Sequence, residues 1–335
     1  MTRLVTSEVA RWFARRLLWV VSAGAVALMV LGPVDAWSTS GEPSAAERAY
    51  AQQQVDEYVP MSDEDRATCL EDQQRERDAS GDPTLDLGCD WVPTVEDFLP
   101  GRGYWDTHGL SSLWGFVTFL VLAALAAGAS FVAAEFSTGA ISSWLTFAPR
   151  RLRVFASKLV ASVLGFAPTA VLAVAVLVGG TWGAYAARGA LTNPQPPVDD
   201  AWSPVGLADG VAAGGRMVAL ALAVVVLGAA LGFLLRHTAA VLGAVLVWFV
   251  VVETILAELV QRLRGWTFQT NVDAWVRDGT EWYEEVCGFD AESGGRACEY
   301  VAHTVTAAQG AAVLGTMVVV VVALAALVFR RRDVA

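Results

Sequence analysis

Six long apolar runs, at 17–34, 110–134, 154–184, 211–235, 239–259 and 304–329, alternate with polar segments along the chain. Each is near the ~20 residues a helix needs to cross the hydrocarbon core of a bilayer. The pattern predicts six transmembrane helices, hence an all-α polytopic membrane protein with both ends on one side. A shorter pattern precedes them: Val5, Val9, Trp12 and Phe13 recur at helical spacing, with Glu8, Arg11 and Arg15 off that stripe. It predicts an N-terminal interfacial helix over 1–16, or else a simple extension of the first span. Val34-Asp35-Ala36 resembles a signal-cleavage site. An uncleaved anchor is the expectation, and cleavage would leave the other five spans oriented as before.

The arginines set the orientation, because basic residues beside spans stay on the cytoplasmic side. Arg3, Arg11, Arg15 and Arg16 precede span one, and Arg150, Arg151, Arg153 and Lys158 lie between spans two and three. Arg236 lies between spans four and five, and Arg330, Arg331 and Arg332 follow span six. Six spans put all four groups inside. The expectation is a multi-pass protein of the cell membrane with cytoplasmic termini, an inner loop at 135–153 and an inner tail at 330–335. The loops at 35–109, 185–210 and 260–303 are then external.

Composition adds to this picture in two places. The formal net charge is −11, and most carboxylates fall in the first external loop, so the acidity belongs to an outer surface and argues against nucleic acid as a partner. That loop carries helix-favouring stretches at 44–58 and 63–78, around Tyr58-Val59-Pro60, with a locally unstructured stretch near 80–84 as an alternative. A small helical extracellular domain is expected, too poor in apolar residues to hold together without a cross-link.

The four cysteines all lie in external loops, where disulfides persist. Cys69 with Cys89 and Cys287 with Cys298 are the expected pairs, although four cysteines allow three connectivities. A metal site is the rival, but there is no Cys-x-x-Cys spacing, and His108 and His303 are isolated.

Pro168 removes a hydrogen bond inside span three and is expected to kink it. The loop after it, 191–204, is proline-rich and extended. Gly179 with Gly183, and Gly228 with Gly232, have the gap that allows close helix approach. In the last external loop Trp266, Phe268, Trp275, Trp282 and Tyr283 alternate with charges, which suggests an interfacial or re-entrant helix, or alternatively a hairpin closed by its disulfide.

Catalytic motifs are absent. A phosphate-binding P-loop needs Gly-Lys-Ser/Thr, and the only lysine, Lys158, sits in Ser-Lys-Leu. No Gly-x-Ser-x-Gly or His-Glu-x-x-His occurs. Glu253 is the best ionisable candidate within a span, either lining a substrate route, pairing with Arg216 or reaching water.

The segment 135–158, EFSTGAISSWLTFAPRRLRVFASK, is the most specific stretch. Ser137 or Thr138 can cap a helix. Ile141, Trp144, Leu145 and Ala148 then form one apolar stripe, Pro149 ends it, and Arg150, Arg151 and Arg153 give a positive rim. Such an amphipathic element suits docking of another protein.

At these residues the chain resembles the permease subunits of ABC-2-type transporters, particularly actinobacterial ones. Their loop between spans two and three runs Glu, a small polar pair, Gly, a short apolar helix, Pro-Arg-Arg and a Lys opening span three. Here those are Glu135, Ser137, Thr138, Gly139, Pro149, Arg150, Arg151 and Lys158. The six-span plan, the surface helix and the aromatic loop before span six are similar too, whereas the enlarged first external loop with its cysteines departs from the shorter members.

The resemblance implies a cytoplasmic coupling helix near 138–147, gripped by a separate ABC ATP-binding subunit. The docking residues would be Glu135, Ser137, Thr138, Gly139, Ile141, Trp144, Leu145, Pro149, Arg150 and Arg151. ATP and Mg would be bound by that partner, with no cofactor or metal on this chain, and a second permease subunit would complete a homodimer or heterodimer in membrane lipid. Export of a lipid, drug or antibiotic-like substrate is the implied activity. Two other readings use the same topology: a membrane scaffold or sensor with a protein-docking inner loop, and a proton-coupled carrier using Glu253.

Overall fold

The computed structural model describes residues 2–139, 150–194, 203–290 and 295–331. They form two units, 39–103 and the remainder of the chain. Six helices among the described residues are long and apolar enough to cross a membrane: Arg16–Thr39, Trp105–Ser137, Arg151–Ala187, Leu207–Leu235, Thr238–Leu259 and Ala307–Arg331. The protein is thus a predominantly helical polytopic membrane protein; the first four crossings extend a few residues beyond their apolar runs, whereas the sixth starts three residues later, at Ala307.

In the larger unit, helix α1 (Thr2–Ala14) precedes span one, which is built from α2 (Arg16–Met29) and α3 (Leu31–Thr39) with a break at Val30. In the unit 39–103, α4 (Ala45–Glu57) and α5 (Asp63–Ser80) occupy the two helix-favouring stretches of the loop. Span two comprises α6 (Trp105–Trp114) and α7 (Val117–Ser137). Span three is α8 (Arg151–Ala187), which runs through Pro168 as one helix, and span four is α9 (Leu207–Leu235). Span five starts as α10 (Thr238–Trp248) and widens into a π-helix over Phe249–Leu256. A π stretch is rare, and where it occurs it commonly marks a functional position.

Spans two, three and four make the core; spans one, five and six line its outside. Spans two and four touch backbone to backbone. A Cβ on Gly128 would come 2.1 Å from the Val225 carbonyl oxygen, and one on Gly228 would come 2.3 Å from that of Leu125. Of the two glycine pairs singled out by spacing, Gly228 and Gly232 thus face span two, whereas Gly179 and Gly183 face open space. Helix α8 meets span one at the residue between that second pair, Gly180, against Pro33.

The segment before span six differs from an interfacial helix alone. A short amphipathic helix, α11 (Phe268–Arg277), is followed by an antiparallel hairpin, β1 (Thr280–Asp290) with β2 (Gly295–Val305), leading to α12 (Ala307–Arg331). The register places Cys287 opposite Cys298, and the two are bonded as a disulfide. His303 stacks on Trp282 with ring centroids 4.4 Å apart and meets Glu284 at 3.0 Å, so it takes part in the hairpin's own packing.

The unit 39–103 contains 16 Asp and Glu against five Lys and Arg, a net charge of −11 equal to that of the whole chain. Its order comes from local polar contacts. Ser44 and Glu47 form a capping box on α4, Ser62 caps α5, and Cys69 is joined to Cys89. The Gln73 side chain accepts from Leu87 N, Arg77 donates to the Leu85 carbonyl, and Tyr58 meets Trp91 edge-on.

Candidate functional site

Glu135 and Lys158, the two residues that bracket the loop between spans two and three, are ion-paired directly with each other. Lys158 also reaches Glu8 of α1 at 2.8 Å. All three side chains are buried: 0% exposed for Glu8 and Lys158, and 2% for Glu135. Arg15 bonds the same Glu135 at 3.0 Å, and Arg11 approaches it at 3.8 Å. Arg15 also donates to the Phe131 carbonyl at 2.8 Å, and the Phe131 ring receives Arg15 and Lys158, each 5.2 Å from its centroid. Two carboxylates and three cations from α1, the α1–α2 junction, α7 and α8 therefore share one site.

The sequence builds this locally. On α1, Glu8 and Trp12 lie one turn apart and form the buried face, with Trp12 over Gly165 of α8 and its ring 4.9 Å from that of Phe131. This differs from the stripe expected from hydrophobicity, since Phe13 is exposed and an acid takes its place inside. A buried ion pair costs desolvation that its attraction only partly repays, so such groups are weak sources of stability. Their effect here is geometric, fixing α1 and the starts and ends of two spans in one register.

Beside the ion cluster lies an aromatic one. Phe136, next to Glu135, packs on Phe233 of α9 and Phe329 of α12, and Phe155 of α8 contacts both of the latter at 4.7 and 6.3 Å. Arg236 covers Phe136 at 5.3 Å. Both loop ends thereby pack directly against spans four and six.

The loop's docking candidates fall into two groups. Ser137 and Thr138 both donate their hydroxyls to the Ala134 carbonyl, and Gly139, at φ 68°, terminates α7 in the left-handed region. Arg150 precedes α8, and Arg150, Arg151, Arg153 and Arg330 surround an open depression of about 480 Å³. Ile141, Trp144, Leu145 and Pro149 lie outside the described residues.

Glu253 lies elsewhere, in the π stretch of span five. Its carboxylate accepts the backbone amides of Phe268 at 2.8 Å and Gln269 at 2.9 Å, and the Trp248 indole N–H at 3.2 Å. It thus serves the free N–H groups and the dipole at the start of α11. Arg216 instead pairs with Asp278 at 2.8 Å. Glu253 also borders an apolar cavity of about 130 Å³, with Val121, Leu125, Val224, Trp248 and Phe268 among its walls.

The cluster Glu285, Cys287 and Cys298 is close enough to resemble a metal site, but both sulfurs are committed to the disulfide. A family model described as ABC-2 family transporter protein matches residues 4–334. The chain belongs to the ABC-2 transporter family. The match to this ABC-2 permease spans a range that includes both units. No curated protein and no solved structure matches the chain. The buried cluster was missed as a unit in the sequence, where Glu135 and Lys158 are visible as loop ends but Glu8 reads as part of a polar face.

Proposed function

We propose that this ABC-2 permease is the membrane-spanning half of an ATP-driven exporter, moved by a separate ATP-binding subunit that grips the segment between Glu135 and Lys158. The observation that carries this reading is the buried set Glu8, Glu135, Lys158 and Arg15, which ties both roots of that segment to three helices. A force applied between the roots acts on α1, span two and span three together. The arginine-lined depression at the start of span three is suited to acidic residues of the motor.

In this reading the arginine-rich ends and both termini are cytoplasmic, the disulfides face outward, and the membrane is the cell membrane. ATP and Mg are held by the partner. A second copy of the permease completes the translocation path, and span five, with almost none of its surface buried in one copy, is the face we assign to it. The cargo class is a lipid, drug or antibiotic-like amphiphile, and Glu253 beside its apolar cavity is the residue we place nearest its route.

The test is co-purification from the native membrane in mild detergent, followed by ATPase assay. Wild type should retain an ATP-hydrolysing subunit, and Trp144→Asp or Leu145→Asp should lose it with the permease still folded. Absence of any such subunit from wild type would favour the scaffold or sensor reading instead.

A further inference from the structure

We propose that the groove between α1, span one and span three is a binding site for an anionic phospholipid, with one acyl chain in the groove and the phosphate on Arg16. The groove has a volume of about 440 Å³ and is walled by Trp12, Phe13, Trp19, Val26, Pro168 and Leu172. It follows span one from Leu18 to Ala27, about 14 Å at 1.5 Å per residue, inward from the arginine-rich boundary. Gly165 creates its floor: a Cβ there would meet the Trp12 ring at 2.4 Å, so only glycine lets the indole lie on span three.

Hydrocarbon suits this space better than a polar ligand. The Thr169 and Ser22 hydroxyls in its walls bond each other at 2.9 Å, and the Trp19 N–H is given to the Phe13 carbonyl at 2.8 Å. Those groups have already found partners, and what remains is an apolar trough open to the side, at membrane depth.

Charge identifies the class of lipid. Of the arginines at this boundary, Arg11 and Arg15 are engaged with Glu135. Arg16 is exposed and forms no ion pair among the described residues. It stands three residues before Trp19 and seven before Ala23, on the helical stripe that forms the groove wall. An exposed cation at the mouth of an apolar trough matches a phosphate headgroup above its own acyl chain. The occupant would rest on Trp12, one turn from Glu8, and so brace the seat of α1 in the ion cluster. This inference stands on the groove itself and does not depend on the transport reading.

The experiment uses the full chain in phosphatidylcholine nanodiscs doped with a trace of one of two probes. These are phosphatidylglycerol or phosphatidylcholine, each carrying a diazirine in its acyl chain. After irradiation, adducts are mapped by peptide mass. Adducts should concentrate on 12–27 and 165–172 over the exposed span five, and the glycerol probe should label those peptides about fivefold more than the choline probe, the weight of one arginine at such a surface. Arg16→Gln should abolish that preference. Ala23→Trp, which fills the trough from an exposed position, should remove these adducts and leave those on span five. Labelling in proportion to exposed surface on every span, equal labelling by the two probes, or a preference untouched by Arg16→Gln would overturn the proposal.

Discussion

Lys158 Nζ stands 2.8 Å from Glu8 Oε2, and neither side chain has any exposure to solvent. The two are 150 positions apart in sequence, and their meeting seats the N-terminal helix on span three at the root of the loop between spans two and three.

Removing one member of this set leaves the others charged and buried, which typically costs about 3–5 kcal/mol. Lys158→Met should therefore lower the melting temperature of the purified permease sharply. The double variant Glu8→Gln with Lys158→Met should recover part of that loss without recovering transport, because the polar register of α1 is gone. Thermal unfolding in nanodiscs alongside a transport assay measures both; additive losses would show that the pair does not act as a unit.

Glu253 should behave as a helix cap. Glu253→Ala strips the amides of Phe268 and Gln269 of their acceptor and should cost about 1–2 kcal/mol. Glu253→Gln keeps one oxygen and should cost less. Hydrogen exchange across Phe268–Arg277 reports the difference, with fast exchange expected for alanine and intermediate exchange for glutamine.

The Cys69–Cys89 bridge closes a loop of about the length for which cross-linking is worth ~3 kcal/mol. Its separation of 20 residues links α5 to the turn carrying Asp90. Cys69→Ser with Cys89→Ser should expose 81–103 to protease while the spans remain intact, as read by fragment mapping after brief digestion.

In the unit 39–103, three exposed carboxyls have lowered pKa values. Glu47 is lowered first by the backbone N–H of Ser44, Asp82 by the Thr84 side chain and then its N–H, and Asp97 by the backbone N–H of Thr94. A depressed folded-state pKa adds stability that is present above the ordinary carboxylate range of about 4 and lost as pH falls through the lowered value. Exchange protection of the Ser44, Thr84 and Thr94 amides, corrected for intrinsic rates, should hold at neutral pH and fall in acid. Substitution by Gln at 47 and Asn at 82 and 97 should flatten that dependence.

The spans were legible because a bilayer demands a long apolar run, and the runs ending at Val34, Ala134 and Leu235 have few other uses. Helices α4 and α5 were legible for a different reason, since capping serines stand before good helix formers at Ser44 and Ser62. The hairpin of Thr280–Asp290 with Gly295–Val305 matches the alternative reading of the last loop, which its aromatic and acidic residues left level with an interfacial helix because they also fit the edge of a membrane. The ion cluster was hidden more deeply. Glu135 and Lys158 are visible as the ends of the loop and Glu8 looks ordinary in its own segment, but only the tertiary fold brings the three together. Glu253 stands out in the sequence as an acid in a span, but two of its partners are backbone amides, which no residue type announces.

At Gly128 and Gly228 there is no side chain to yield between spans two and four, only peptide groups in contact. The two crossings are therefore bound to travel as a single beam. The helical geometry is interrupted elsewhere, at Val30 in the first crossing and beside Phe116 in the second, and those are the places left to bend.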